Sequence, residues 1–285
     1  MKTGFIGAGK TGSALAIGLS GKGYPISAVS SRSLTSAERL AEILPDCRTC
    51  KQPQEVADTC DMVFITTPDD TIPDIATQIH WRHGQYVLHC SGALSLDALE
   101  SAQLSGAATG SLHPLQSFAS IDQAVNNLPC STFALEGREP LLSLLKQIVN
   151  LLKGNAIVLK AGDKALYHAA AVFTSNYTVT LLGMAAKLWE SFGIPQEEAV
   201  PALLPLLRGT VDNIESIGLP NCLTGPIARG DLDTIRKHLE DIDAKCPSLL
   251  SAYKEMGRQT IPIAVASGSI DEERARMLRG ILDND

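Results

Sequence analysis

The feature that most constrains this chain lies at its start. Gly7-Ala8-Gly9-Lys10-Thr11-Gly12 stands directly between a short apolar run and an amphipathic stretch. Three glycines at that spacing, after a strand and opening a helix, meet three physical needs. The first permits a tight turn, the second lets the backbone approach a pyrophosphate, and the third allows close helix–strand packing. The helix then offers unpaired N–H groups and the positive end of its dipole to the phosphates. Lys10-Thr11 superficially matches a mononucleotide P-loop, but Gly4 and Gly9 do not give the required spacing.

The rest of the first half alternates short apolar runs with helical stretches, the pattern of a parallel sheet covered by helices. Strands are expected at 3–6, 26–30, 62–66, 86–90, 108–112, 131–135 and 156–159. Helices are expected at 11–20, 37–44, 72–79 and 140–152. After Lys160 the period changes. A long helix is expected over 163–192, stopped at Gly193-Ile194-Pro195, with further helices at 196–217, 231–243, 247–267 and 271–282. Pro201 and Pro205 are candidates to kink or shorten the first of these four. The fold class is therefore α/β, a Rossmann-type mostly parallel sheet domain over 1–161 followed by an all-α domain over 162–285.

Composition narrows the functional classes. The 285 residues carry a net charge of −7, which speaks against nucleic acid or an anionic membrane as the main partner. No apolar run comes close to the roughly 20 residues of a membrane helix, and no signal peptide is visible. Seven scattered cysteines fit a reducing compartment, so a cytoplasmic protein is expected. Cys47-Arg-Thr-Cys50 is formally C-x-x-C, but it falls in a strand-like stretch without a second pair. It reads as two small apolar residues in chance proximity, and no metal site is expected.

The cofactor segments continue along the strand ends. A site for NAD would place Asp or Glu at the end of the second strand to bind the ribose hydroxyls. This chain has Ser30-Ser31-Arg32-Ser33, and an arginine flanked by hydroxyls suits the 2′-phosphate of NADP(H). Thr66-Thr67-Pro68-Asp69-Asp70 and His89-Cys90-Ser91-Gly92-Ala93 end two later strands, where ligands of open α/β sheets sit. Thr67, Pro68, Ser91 and Gly92 are thus cofactor candidates beside Gly7, Ala8, Gly9, Lys10, Thr11 and Gly12; Ser91 and Gly92 are placed near the nicotinamide.

With these segments in view, the chain resembles the 6-phosphogluconate-dehydrogenase-like superfamily. GFIGAGKTG, SSRS and TTPDD are similar to segments of pyrroline-5-carboxylate reductases and deazaflavin-type NADP oxidoreductases. KALYHAAAVFTSNY (164–177) and LTGPIARGD (223–231) look more like a bacterial branch whose second domain is domain of unknown function 2520. The resemblance covers essentially the whole chain. It implies NADP-linked reduction of a C=O or C=N bond of a small metabolite and a homodimer through the helical half. One departure matters: related dehydrogenases carry a lysine with an asparagine four residues on. Here Lys164 is followed by His168, and the asparagine comes at Asn176.

On a helix, Lys164, His168, Ala171 and Ser175 share one narrow face, flanked by Tyr167 and Asn176. That face should pass a cleft where nicotinamide and substrate meet. Lys164 is expected as proton donor, His168 as the second choice, and Asn176 and His113 as substrate-orienting groups. His113 follows a strand end and equally fits a proton donor or a satisfied loop residue. Arg229 is a candidate carboxylate clamp, with Asp231 capping the next helix. His80 and His83 read as surface residues. A sensor that binds NADP(H) without turnover stands as the alternative to an enzyme.

Overall fold

Strands buried on both faces read as unbroken apolar runs, and TGFI and MVFI at the sheet centre are of this kind. In the computed structural model, which describes residues 1–283, the chain forms two units, Met1–Ser175 and Asn176–Asp285. The first contains β1 (Thr3–Ile6), α1 (Lys10–Ser20), β2 (Ile26–Ser30), α2 (Leu34–Ile43), β3 (Arg48–Cys50), α3 (Pro53–Thr59), β4 (Met62–Ile65) and α4 (Ile72–Gln78). It continues with β5 (Tyr86–His89), α5 (Glu100–Leu104), β6 (Ala108–Leu115), α6 (Ile121–Asn127), β7 (Thr132–Gly137), α7 (Leu141–Leu151), β8 (Asn155–Val158) and α8 (Lys164–Thr174).

The eight strands lie in the order β3-β2-β1-β4-β5-β6-β7-β8. All neighbours are parallel except β6 and β7, which run antiparallel. The sheet is thus mostly parallel, as expected. β1 and β4 are buried along their whole length, and Phe5 stacks on Phe64 with ring centroids 4.9 Å apart. Burying each such ring contributes roughly 1.5–3 kcal/mol. One face of the sheet packs Leu15 and Leu19 of α1, Leu40 of α2 and Leu141, Leu145 and Ile148 of α7. The other packs Val56 of α3, Ile72 and Ala76 of α4 and Ala102 of α5. The result is a three-layer arrangement.

Three short helices escape the sequence reading. α3, α5 and α6 have seven, five and seven residues, too few for a 3.6-residue period to stand out. α3 nevertheless has local causes. Pro53 opens it, and the Glu55 carboxylate accepts from the Gln52 amide at 3.0 Å.

The second unit contains α9 (Asn176–Glu190), α10 (Gln196–Ile217), α11 (Leu232–Lys245), α12 (Leu250–Ala266) and α13 (Glu272–Asp283). Ile235, Ile261, Ala264, Leu278 and Leu282 form its main core. Pro201 and Pro205 lie inside α10, which continues through both for 22 residues. The expected helix over 163–192 is instead two helices meeting at Ser175. The division between the units falls there, one helix later than 161/162.

The helical segment Lys164–Glu190 has 27 residues and an apolar window of mean hydropathy 1.2, enough to cross a membrane by those criteria. Lys164, His168 and Asn176 interrupt the apolar run. Its first residue is the buried, ion-paired Lys164, fastened to the sheet.

Candidate functional site: a glycine-floored cleft and a histidine cluster

The turn after β1 forms as the motif requires. Gly7 has φ +115°, and a β-carbon there would stand 2.7 Å from the Thr66 carbonyl carbon, so both conformation and space demand glycine. Gly12 packs as closely, since its β-carbon would lie 2.3 Å from the Gly7 oxygen and from Thr66 Oγ1. In front of Gly9 the space is open. α1 begins at the next residue with no side-chain cap and no acidic residue in its first turn. Its leading N–H groups are therefore free to receive an anion.

A cleft of about 650 Å³ opens beside this turn. Gly7, Ala8, Gly9, Ser30, Ser31, Arg32, Ser33, Thr67 and Pro68 line it, nine of the residues expected at a cofactor site. Lys10, Thr11, Gly12, Ser91 and Gly92 are not among its lining residues. Lys51, Gln52, Asp74 and Gln78 are, and the sequence reading did not single them out. Lys51 and Gln52 carry no motif; only the pairing of β3 beside β2 brings them there.

Two buried hydroxyls in this cleft, Ser30 Oγ and Thr67 Oγ1, have no hydrogen-bond partner among the described residues. Unpaired buried polar groups are costly, so both are suited to a polar ligand. Ser33 caps α2, accepting from the Ser36 amide at 3.3 Å and from the Ser36 hydroxyl at 3.1 Å. Its own hydrogen remains available. The residues present fit a dinucleotide with a charged group at the Arg32 end.

A second cluster forms by strand register. His89 of β5 pairs with Ser111 of β6, and Ser111 pairs with Glu136 of β7. Paired residues project to the same side of a sheet, and His113, two residues after Ser111, shares that side. α8 then brings in Lys164, Tyr167 and His168. The Lys164 ammonium donates to Glu136 Oε2 at 2.7 Å and to Ser111 Oγ at 2.8 Å, while Ser111 donates to Glu136 at 2.9 Å. Lys164 is 3% exposed and Glu136 6%. Burial pulls the lysine's pKa down, and the hydrogen bond and charge of Glu136 pull it back up.

This geometry bears on the expectation for Lys164. Two of its three hydrogens are committed to protein oxygens, so a freely donating ammonium is not what the fold builds. Glu136 and Ser111 were missed, although a carboxylate inside the apolar strand Thr132–Gly137 was a signal, since buried charges are paired.

His113 is the better placed titratable group. Its Nδ1 lies 2.7 Å from Tyr167 Oη, and its ring meets that of His168 edge-on at 6.5 Å between centroids. Burial, then the charge of Lys164, lowers its pKa to about 4, so it is neutral near pH 7. Burial raises Tyr167 to about 12, so its hydroxyl stays protonated. His168 Nδ1 is buried and has no partner among the described residues. A β-carbon on Gly92 would stand 2.8 Å from His113 Nε2 and 2.9 Å from His168 Nδ1. Both imidazoles thus press against the Gly92 backbone, and only glycine leaves them room.

Ser91 is held within its own turn. Its hydroxyl donates to Asp69 Oδ2 at 2.6 Å and accepts from the amides of Ala93 and Leu94. Its single hydrogen is spent inside the turn. Asn176 opens α9 in the second unit and is exposed there. Asp231 caps α11 through the Thr234 amide at 3.1 Å, and exposed Arg229 lies 3.9 Å from it. Burial raises Cys47 to about 11 and Cys60 to about 12, so both stay thiols. Among the described residues no group of side chains is arranged to hold a metal ion.

Comparison with known proteins agrees with this architecture. The Rossmann-like domain profile matches residues 1–114, and that of domain of unknown function 2520 matches residues 131–260. The chain carries both domains. None of the curated proteins matches it in sequence. BF3122 of Bacteroides fragilis, a candidate NADP oxidoreductase, shares 24% identity at a TM-score of 0.71, over 92% of this chain and 98% of that one. The reductive aminase of Aspergillus terreus, in complex with NADPH and ethyl-5-oxohexanoate, shares 16% at 0.63, over 99% and 92%. The 1-pyrroline-5-carboxylate reductase of Streptococcus pyogenes shares 20% at 0.59, over 98% of each chain.

Proposed function

We propose that this protein is an NADP(H)-dependent oxidoreductase that reduces the C=O or C=N bond of a small, carboxylate-bearing metabolite. One observation carries the reading. The glycine-floored cleft ends in Arg32 and three serines, where an NAD site would have an acid. The fold it shares with a reductase crystallised with NADPH supports the same cofactor.

Bound NADPH would supply the hydride. The chain's own part is to hold the cofactor and handle the proton. Ser30 and Thr67 offer unpaired hydroxyls, α1 offers its leading amides, and Arg32 offers a bidentate guanidinium. A carbonyl oxygen that gains a hydride needs a proton from a nearby donor. With Tyr167 donating to Nδ1 of neutral His113, the hydrogen of that ring sits on Nε2, on the side facing Gly92 and His168. We assign the donor role to the His113–Tyr167 pair: Nε2 would give its proton to the substrate oxygen as Nδ1 takes the proton of Tyr167, leaving a tyrosinate that solvent reprotonates. His168 takes the second place, and Lys164 serves as a fixed charge that helps keep His113 neutral. We further propose a homodimer through the helical half, which leaves Val179, Leu206 and Leu219 exposed within its own unit.

The test is incubation with NADPH and pooled carbonyl and amine metabolites, following loss of the reduced nicotinamide. Turnover is expected, and Arg32→Ala should weaken NADPH binding about 10- to 100-fold while barely changing NADH. Equal affinities of the unmodified protein for both cofactors would sink the NADP assignment. The committed ammonium of Lys164 favours a second reading, an NADP(H)-binding sensor without turnover. Tight binding with persistent silence in the metabolite screen would select it.

A further inference from the structure

The register of the sheet's outer strands has a consequence for the Arg32 end of the cleft. β2 and β3 pair in parallel with Ser30 opposite Cys50. The residues leaving the two strand ends are therefore neighbours: Ser31 and Arg32 from one, Lys51 and Gln52 from the other. Adjacent strands are only about 4.8 Å apart, so the two long cationic side chains rise from one edge of the cleft. Both line it. Among the described residues neither Arg32 nor Lys51 forms an ion pair, and the one carboxylate lining the cleft is Asp74, on α4.

We propose that Lys51 is a specificity-determining residue that closes a two-cation clamp with Arg32 around a phosphomonoester on the adenosine ribose. This rests on the NADP(H) reading and extends it to a residue on a different strand. A phosphomonoester has three acceptor oxygens and approaches two negative charges near neutrality. One guanidinium engages two of those oxygens in a fork. The third oxygen and the second charge are left for another donor, and the flexible ammonium of Lys51 reaches over the cleft edge to supply it. The free hydrogen of Ser33 adds a neutral donor beside them. A solvated lysine would contribute nothing measurable to the choice between the two cofactors.

The experiment measures dissociation constants of NADPH and NADH for the full chain by fluorescence titration. Lys51→Gln should weaken NADPH about tenfold and leave NADH unchanged, and Lys51→Arg should keep most of the preference. The ester's second proton leaves near pH 6, so NADPH affinity in the unmodified protein should rise between pH 5 and pH 7. Lys51→Gln should flatten that rise. Lys51 is exposed, so the variant should melt at the unmodified temperature, which a thermal scan checks. A full NADPH preference in Lys51→Gln, lost only in Arg32→Gln, would overturn the clamp and leave the cofactor reading standing. No preference in the unmodified protein would overturn both.

Discussion

At the scale of single residues, the buried Lys164–Glu136–Ser111 group sets the strongest constraint. The ion pair is buried at 2.7 Å, and such pairs are costly to break from one side. Lys164→Ala leaves Glu136 charged and unpartnered in the interior, and Glu136→Ala does the reverse. Each should destabilise the protein by about 3–5 kcal/mol in denaturant titrations. The double variant Lys164→Ala with Glu136→Ala should lose clearly less than the sum of the single losses. Additive losses would mean that the two side chains do not interact as the geometry requires.

At the scale of elements, the turn after β5 and the first turns of α8 form a unit. Ser91 ties the turn to Asp69, and Gly92 gives the imidazoles of His113 and His168 their room. Gly92→Ala would put a β-carbon under 3 Å from both rings. Turnover should fall at least tenfold as the rings are displaced, while NADPH binding, which uses the separate glycine turn, holds within about twofold. A variant with unchanged turnover would remove the histidine cluster from the mechanism. A variant that loses the cofactor would mean that the turn supports the cleft instead.

At the scale of the whole molecule, two properties follow. The buried imidazoles of His89 and His113 have pKa values of about 3 and about 4, below the ordinary 6.5. For both, burial is the first cause. Between those values the unfolded chain binds protons that the folded one refuses. Stability is therefore greatest above about pH 6.5 and falls as pH drops toward 4 and then 3. The loss should be on the order of 4 kcal/mol from His89 alone, which is fully buried. Denaturation midpoints flat between pH 7 and pH 4 would contradict it. The exposed apolar side chains of α9 and α10 motivate the second, the proposed dimer. Light scattering should give twice the chain mass of 30.3 kDa at micromolar concentration. A monomer would refute it.

The sequence by itself determined the glycine turn, the parallel strands around it, the Arg32-for-acid exchange and the helical second half. Each is written in consecutive residues: a fixed glycine spacing, an apolar run, a 3.6-residue period. Only the tertiary structure decided what depends on lateral pairing. The β2–β3 register brought Lys51 beside Arg32, and the β5–β6–β7 register gathered His89, Ser111, His113 and Glu136 onto one face. Lys164 looked free on its own helix because helical periodicity does not reveal what the opposite surface offers. A carboxylate 28 residues away captured it, since a buried ammonium must find a partner and Glu136 was within 2.7 Å. Strand order and register are set by packing between segments distant in the chain, and local pattern carries no record of them.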